Sequence, residues 1–366
     1  MHTPYCSGTR GKVAGARKPD QIAQTASHSA VLRRLMGMPI RSKLAQQARA
    51  RSLVGSAGRT LQPPGWVVLL SLWAAAWLAL ATRAAGEPSP SSANPGPGQP
   101  LAAGHDGWVK WAPSVVADLR SGRPLVVRVV VPLCSNDQIW CGAGFAGQPG
   151  RPATNLYWGA VFGARRFLER KRSVWSRVEL SSGDGTVLER AIYRRKVPAS
   201  RWGLSRPEPI EQIAVLEAIH GASIDDAVRR FWQTATRGGE VSFLDAGQQR
   251  TARVHVMGYV GHNRLMDGIA FPPRLAAAST PAKPMPSFVL ACNSEGYFTR
   301  PLTAAGSTPL VMTRTLMAPE GYVVDAVLRG LGENDSPTEL RRRAIRAYAA
   351  WQRIPERQAG AVFARR

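Results

Sequence analysis

Two residues that can do nucleophilic or proton-transfer chemistry, His262 and Cys292, each follow an apolar run of the sequence. The run at residues 253–260 leads into a Gly-His pair, and the run at residues 287–291 leads directly into Cys292. Both runs are typical of buried strands. Ligands of an open α/β sheet sit outside the carboxyl ends of its strands, so parallel neighbouring strands would place both side chains in one crevice. Because an imidazole beside a thiol activates it as a nucleophile, the pattern predicts a Cys-His dyad.

The number of cysteines favours a free thiol at Cys292. Cys6 lies in a basic amino-terminal segment, which leaves Cys134, Cys141 and Cys292 in the rest of the chain. Cys134 and Cys141 share one predicted loop and could close a disulfide in an oxidising compartment. Cys292 is then left without a partner, which makes it a candidate reactive thiol. The alternative is a buried structural cysteine at a strand end, since free cysteine is among the most buried residue types.

His262 also has a structural alternative, since a histidine in a Gly-flanked turn can simply hydrogen-bond within that turn. Asp267 and Glu320 are candidates to orient its ring, but the sequence does not place either of them. No metal site is expected, because a strand separates His255 from His262 and turns them to opposite faces, and no Cys-x-x-Cys pair supports them. No cofactor is expected either, because the Gly-rich segments lack the strand-loop-helix spacing of a phosphate loop.

Alternating strand and helix patterns must position these residues. Apolar or β-branched runs predict strands at residues 124–132, 174–180, 187–197, 253–260, 287–291 and 310–313. Helical spacing and capping residues predict helices at residues 155–170, at two stretches within 209–237, at 319–331 and from Ser336 onward. Strands that alternate with helices predict an α/β fold, with a mostly parallel sheet covered by helices on both faces.

The segment before this domain has a different composition. Residues 1–64 hold eleven Lys or Arg and one acid, and we expect a basic disordered arm that processing could remove. Residues 65–85 contain an uncharged apolar run, which predicts either a signal peptide or a membrane anchor. Residues 86–103 are rich in Pro, Ser and Gly and predict a flexible linker. Both readings of the apolar run place the following domain, residues 104–356, outside the cytoplasm.

The amino-acid composition limits the classes of binding partner that this chain is expected to have. The apolar content of 44% excludes global disorder, and the net charge of +24 comes partly from the basic arm. In the rest of the chain the Arg residues are scattered between apolar positions, so no nucleic-acid partner is expected. The membrane would be a partner through residues 66–82 if that segment stays uncleaved. A basic envelope protein that holds anionic polymers through its Arg surface is a weaker alternative.

The two strand-end motifs resemble those of the caspase-like cysteine peptidases, which include caspases, gingipains, legumain and bacterial relatives. An apolar strand ending in Gly-His precedes an apolar strand ending in Ala-Cys, whereas papain-like enzymes generally carry Cys before His. The resemblance implies a caspase-like α/β domain at residues 104–356 and a protein or peptide substrate. It implies that Cys292 is the nucleophile and His262 the acid/base. Backbone N–H groups around Gly261 and Asn263 would hold the oxyanion.

One residue departs from that family. Caspase-like enzymes usually have Gly directly after the histidine, where this chain has Asn263. Glycine lets the backbone approach a substrate closely, so the substitution favours a second hypothesis, a catalytically inactive caspase-like binding module of the cell envelope. The Tyr-Val-Gly-His-Asn and Ala-Cys-x-Ser segments also resemble those of a family of secreted bacterial proteins, which implies no particular function.

Overall fold

The computed structural model describes residues 113–275 and 282–365. The predicted basic arm, apolar segment and linker, at residues 1–64, 65–85 and 86–103, lie outside the described residues. Within the described residues, no helix has both the length and the apolar character needed to cross a bilayer.

A six-stranded, mostly parallel sheet forms the centre of the fold. The strands of the described chain are β1 (Leu125–Pro132), β2 (Ser176–Ser182), β3 (Val187–Val197), β4 (Ile210–Ile219), β5 (Glu240–Asp245), β6 (Gln248–Arg253), β7 (Val256–Val260) and β8 (Ser287–Leu290). The sheet has the order β2-β3-β4-β1-β7-β8, and β5 and β6 form a separate hairpin. Strands β4, β1, β7 and β8 are parallel, while β2 and β3 are antiparallel at one edge.

The parallel strands follow a doubly wound order. From the first strand, β1, the chain adds β4 on one side and then β7 and β8 on the other. The direction of winding therefore reverses between β1 and β7. In such sheets a crevice opens outside the carboxyl ends of the strands at this reversal. His262 follows β7, so the topology places it at this crevice.

Helices cover both faces of the sheet, as predicted. The helices of the described chain are α1 (Pro113–Arg120), α2 (Ala164–Leu168), α3 (Ile224–Arg237), α4 (Ser294–Ala304), α5 (Gly321–Gly332), α6 (Pro337–Gln352) and α7 (Glu356–Val362). Alternate residues of β1 point to opposite faces. Val127 and Val129 belong to a core with α1, α2, α5, α6 and α7, whereas Val126 and Val130 belong to a core with α3, α4 and the β5–β6 hairpin.

The prediction of a helix at the start of residues 209–237 was wrong, because Ile210–Ile219 is strand β4. Its apolar spacing also fits a helix, and only the tertiary structure decides between them. Strand β4 lies between β3 and β1, and its alternate side chains belong to the two cores on opposite faces of the sheet, so both of its faces are buried. Its inward Glu217 is paired with Arg128 of β1 at 2.8 Å, which makes a charge in a central strand tolerable. The second helix predicted in this stretch is α3.

The helix predicted at residues 155–170 is present only as the short α2. The side-chain oxygen of Asn155 accepts N–H groups from Cys134, at 3.0 Å, and Tyr157, at 3.1 Å, which fixes a turn instead of a helix start. A Cβ atom at Gly159 would lie 2.3 Å from a backbone oxygen, and one at Gly163 would lie 2.4 Å from backbone atoms. These turns are therefore too tight for residues with side chains.

The remaining carboxyl-terminal predictions agree with the structure in most details. The capping box before α6 is present: Ser336 Oγ accepts the N–H of Glu339 at 3.3 Å, and the Glu339 carboxylate accepts the N–H of Ser336 at 2.9 Å. The strand predicted at residues 310–313 is an extended segment that hydrogen-bonds to β8 and forms isolated bridges rather than a full strand. Phe363, after α7, is fully buried, so the core continues beyond residue 356.

Candidate active site at the carboxyl ends of β7 and β8

The sheet register brings His262 and Cys292 to equivalent positions. Strands β7 and β8 are parallel, and their last residues, Val260 and Leu290, are paired. Each candidate residue lies two positions beyond its strand, so both follow the same edge of the sheet. The predicted arrangement of two neighbouring strand ends is therefore present in the structure.

His262 forms a hydrogen-bonded pair with Asp267. Its Nε2 lies 2.7 Å from the Asp267 carboxylate, and its carbonyl oxygen accepts the hydroxyl of Tyr259 at 2.7 Å. Burial alone would raise the pKa of Asp267, but the bonds and charges of His262 and Arg264 outweigh it and hold that pKa below its ordinary value. With an ionised carboxylate at Nε2, a neutral imidazole carries its proton there. Nδ1 is then left as a proton acceptor, so Asp267 is the residue that orients His262.

Asn263 ties the two strand ends together. Its side chain is fully buried, and its Nδ2 donates to the carbonyl of Cys292 at 2.6 Å. Its Oδ1 accepts the N–H of Leu265 at 3.1 Å, which caps the short turn that carries Asp267. Asn263 therefore has a structural reason to replace glycine after the histidine, because a glycine there could make neither bond.

Gly261 is held within the sheet. Its N–H donates to the carbonyl of Leu290 at 3.2 Å, and its φ of 155° lies in the region that favours glycine. A Cβ at this position would also meet Pro132 at 3.0 Å. Its N–H is therefore already engaged, and in this structure it does not point to an oxyanion.

The thiol of Cys292 contacts the backbone of Met317. The Met317 N–H lies 3.4 Å from Sγ, and the Sγ–H donates to the Met317 carbonyl at 3.6 Å. Burial raises the pKa of Cys292, and the Met317 N–H offsets only part of that rise. Among the described residues, both hydrogen bonds of Sγ are with Met317. The structure therefore brings the two candidate residues to one edge without joining the thiol to the imidazole, and the thiol is protonated at neutral pH.

Cys292 lies in a sharp turn between β8 and α4. Asn293 has a left-handed conformation, with φ of 50°, and α4 begins at the next residue, Ser294. The N–H of Asn293 donates to the carbonyl of Thr315 at 3.0 Å, which anchors the turn. In α/β-hydrolases, a strand-turn-helix geometry of this kind carries the nucleophile above the sheet.

Two buried tyrosines, Tyr157 and Tyr348, would interact electrostatically with a charged Cys292, and sequence reasoning did not identify them as site residues. Burial raises the pKa of Tyr157, and negative charge on Cys292 and on Glu320 raises it further. Burial also raises the pKa of Tyr348 to about 12, and the same two charges contribute. Tyr348 Oη accepts the N–H of Ala318 at 3.2 Å. No local pattern marks these residues, since Tyr157 precedes Cys292 by more than 130 positions.

Glu320, the other carboxylate considered for His262, is not bonded to that ring among the described residues. It lies three residues after Met317, and its carboxylate accepts Gln352 Nε2 at 3.2 Å. Burial raises the pKa of Glu320, partly offset by a hydrogen bond from Tyr322. Of the two carboxylates considered for orienting His262, only Asp267 therefore contacts it among the described residues.

The two other cysteines of the described chain form a disulfide. Cys134 and Cys141 are joined at an S–S distance of 2.03 Å in the loop after β1, as their shared loop allowed. Asn155 holds this loop against β1, because its Nδ2 donates to the Cys134 carbonyl at 2.8 Å. Cys292 is the free cysteine of the described residues.

His255 lies at the opposite end of β7. Its Nε2 is 3.0 Å from Asp118, and its Nδ1 accepts the N–H of Val126 at 3.0 Å. In the parts of the chain that the structure describes, no three His, Cys, Asp or Glu residues are grouped to hold a metal ion.

No protein-family model, curated protein or solved structure matches this chain. Its chemistry must therefore be inferred from its own residues and their geometry.

Proposed function

We propose that the domain at residues 104–356 is a caspase-like cysteine peptidase, with Cys292 as the nucleophile and His262 as the acid/base. One observation carries the proposal: a histidine oriented by Asp267 and a free cysteine follow neighbouring parallel strands in register. His262 follows the third parallel strand in chain order and Cys292 follows the fourth. A free thiol and an oriented imidazole at one crevice are the two groups that acyl transfer needs.

The proposed reaction is peptide hydrolysis through a thioester. His262 Nδ1 accepts the proton of Sγ, and the thiolate attacks the scissile carbonyl carbon. The resulting imidazolium gives this proton to the leaving amine as the C–N bond breaks. A water molecule that His262 deprotonates then attacks the thioester, and the proton returns to Sγ. Asp267 keeps the imidazole oriented and stabilises the imidazolium. The backbone N–H of Asn263 is a better oxyanion donor than that of Gly261, which is engaged with Leu290.

The proposal requires a change at the thiol before reaction. Sγ must leave the Met317 backbone, either by rotation of the Cys292 side chain or by movement of the segment around residue 317. Catalytic hydrogen bonds are often formed only in the substrate complex, so a resting contact with Met317 is compatible with activity.

The test is hydrolysis of a fluorogenic peptide mixture by the full chain and by its Cys292→Ala and His262→Ala variants. We expect Cys292→Ala to abolish hydrolysis and His262→Ala to lower it by about 1000-fold. His220→Ala is the matched control, because His220 caps its own turn through Nδ1, 3.1 Å from the Ala222 N–H. Hydrolysis that persists in Cys292→Ala would refute the proposed mechanism.

A non-catalytic binding module of the same architecture is the second candidate function. The raised pKa of Cys292, its contacts with Met317 and the buried Asn263 favour it. In this case the crevice would hold a peptide or protein without cleaving it. Peptide turnover that requires both Cys292 and His262 would exclude this candidate.

We also propose that the domain is exported and acts in the periplasm, outside the cell or at the membrane. The Cys134–Cys141 disulfide supports this, because such bonds persist in oxidising compartments. The apolar run at residues 66–81 supplies a signal peptide or anchor. Cell fractionation tests it: the chain should leave the cytoplasm, and replacing two leucines of the apolar run with Arg should retain it there.

A further inference from the structure

A cavity of about 290 Å³ lies beyond β8, at the edge of the sheet. The extended segment at residues 310–313 bonds to β8, and the carboxyl-terminal residues bond to that segment in turn, since the N–H of Ala364 donates to the Met312 carbonyl at 2.9 Å. Residues of α4 and α6 complete the walls of the cavity. Its lining includes neither Cys292 nor His262, so the cavity is separate from the candidate active site.

Arg341 of α6 lines this cavity with a positive charge that no carboxylate balances. Its Nε donates to the carbonyl of Ala364 at 2.6 Å, and its Nη2 donates to those of Gly360 and Phe363 at 2.8 and 3.2 Å. A guanidinium has five N–H donors, so the two on Nη1 are left without a partner among the described residues. The backbone carbonyls therefore hold the guanidinium in place without neutralising it, and Nη1 is available to a ligand.

The other charged groups at the cavity leave it positive. Arg365 also lines it and forms no ion pair with any residue that the structure describes. Among the described residues of the lining, only Glu295 carries a carboxylate, and that carboxylate is paired with Arg314 at 3.3 Å. Burial lowers the pKa of Arg341, and the positive charges of Arg365 and Arg314 lower it further. An anion in the cavity would relieve this repulsion between like charges.

Thr299 of α4 contributes a hydroxyl group that lacks a partner. Its Oγ1 is buried and forms no hydrogen bond within the described part of the chain. A threonine inside a helix commonly bonds to the carbonyl one turn earlier, here that of Glu295, and Thr299 does not. Buried polar groups without a partner are rare, because their desolvation is not repaid. Since Thr299 lines the cavity, an oxygen atom of a ligand can accept this hydroxyl.

We infer that this cavity binds a small anion, whose carboxylate or phosphate group accepts the Nη1 hydrogens of Arg341 and the hydroxyl of Thr299. Arginine suits either group, because its N–H donors match planar or tetrahedral oxyanions. Leu310, Val311 and Met312 add an apolar part to the lining, which fits a short hydrocarbon attached to the charged group. The cavity is near the lower size limit of ligand sites in proteins, so the ligand is small. The site is independent of the proposed peptidase function.

The first experiment measures binding to the full chain by isothermal titration calorimetry at constant ionic strength. The probes are butyrate, inorganic phosphate and, as an uncharged control, butyramide. We expect butyrate or phosphate to bind saturably with a Kd on the order of 1 mM, and butyramide not to bind. Saturation by only one of the two anions identifies the group, carboxylate or phosphate, that the cavity prefers. If neither anion saturates the chain by about 50 mM, the inference is overturned.

The second experiment removes the hydroxyl with Thr299→Val, which keeps the shape of the side chain. We expect Kd for the bound anion to rise about tenfold, because the ligand loses a hydrogen bond to a charged group. The melting temperature of the ligand-free variant should not fall, because the buried hydroxyl has no partner to lose. Thr303→Val is the matched control, since Thr303 is an exposed threonine one turn later in α4 and should change neither quantity.

A third measurement removes the positive charge. Arg341→Gln should raise Kd about 100-fold, whereas Arg357→Gln, which removes an exposed charge from α7, should leave it unchanged. Because Arg341 also anchors the carboxyl-terminal segment, thermal melting checks that its variant folds, and Thr299→Val tests the inference even if it does not. A Kd that is the same in wild type and in Thr299→Val would overturn the inference, since anions would then be held by surface charge alone.

Discussion

Strand β7 has a His–Asp pair at each end, and the two pairs differ in what they can do. At its amino end His255 is bonded to Asp118, and at its carboxyl end His262 is bonded to Asp267. Both bonds join Nε2 to a carboxylate, at 3.0 and 2.7 Å respectively. The difference lies in the second ring nitrogen and in the end of the sheet to which each histidine belongs.

Both nitrogens of His255 are occupied. Its Nδ1 accepts the N–H of Val126, and burial lowers its pKa, which keeps the ring neutral. Asp118 is additionally bonded to Arg123 and Arg253, so this pair closes the amino end of the sheet. His262 Nδ1 makes no hydrogen bond within the described residues. Of the two pairs, only His262–Asp267 therefore keeps a ring nitrogen without a hydrogen-bond partner among the described residues, as the proposed proton transfer requires.

The largest expected effect comes from His262. If the proposed mechanism holds, His262→Gln should lower peptide kcat/KM by about 1000-fold, because it removes the proposed acid/base group. It should lower the unfolding free energy by only about 1 kcal/mol, since the ring lies beyond the carboxyl end of β7 and the Gln amide can still donate to Asp267. Steady-state kinetics and urea unfolding measure the two quantities. If the unfolding free energy fell by as much as the activation free energy rose, the His262–Asp267 pair would be structural, like the His255–Asp118 pair.

The reciprocal change should act on stability. His255→Ala should lower the unfolding free energy by about 2 to 3 kcal/mol, because it leaves the buried N–H of Val126 without a partner and removes one bond from the Asp118 carboxylate. Urea unfolding measures this, with His220→Ala as the control for losing an imidazole. A decrease in the unfolding free energy of less than about 0.5 kcal/mol would mean that the His255–Asp118 pair has no structural role to distinguish it from the His262–Asp267 pair.

A smaller effect concerns pH. The folded-state pKa of His255 is lowered from its ordinary 6.5 by burial, so below pH 6.5 the unfolded chain binds a proton that the folded chain resists. The contribution of His255 is therefore complete above pH 6.5 and is lost as pH falls through the folded-state pKa. The contribution of the Asp118 carboxylate to stability is lost only at more acidic pH, because the pKa of Asp118 is lowered as well. His255→Gln should flatten the stability profile between about pH 6.5 and 5. An unchanged slope would contradict the neutral state of this ring.

The smallest effect is expected at the resting thiol. Alkylation of Cys292 should be slow at pH 7 and still rise with pH above 9, because burial raises its pKa. His262→Gln should change the rate at pH 7 by less than about threefold, since Sγ contacts Met317 and not the imidazole. A rate plateau at low pH that vanishes in His262→Gln would instead show a dyad already assembled at rest.

Local signals made part of this fold predictable. The runs before His262 and Cys292 predicted β7 and β8, and Ser336 with Glu339 predicted the start of α6. These features depend on residues within one turn or one strand. Long-range features were missed or mistaken. Ile210–Ile219 has spacing that fits a helix, and it is a strand because β1 and β3 pair with its two edges while a core on each side of the sheet buries its faces.

For this protein, the sequence by itself determined that a histidine and a cysteine each follow an apolar strand, because strand composition is a property of the chain alone. That Cys292 is free was decided by the structure, in which Cys134 is joined to Cys141. Only the tertiary structure decided that Asp267 orients His262, that Met317 contacts the thiol, and that Glu320 is bonded to Gln352 and not to His262. The physical reason is that hydrogen bonds and charge compensation depend on which groups meet in space. The spacing of residues along the chain predicts such contacts only for groups that belong to the same turn or strand.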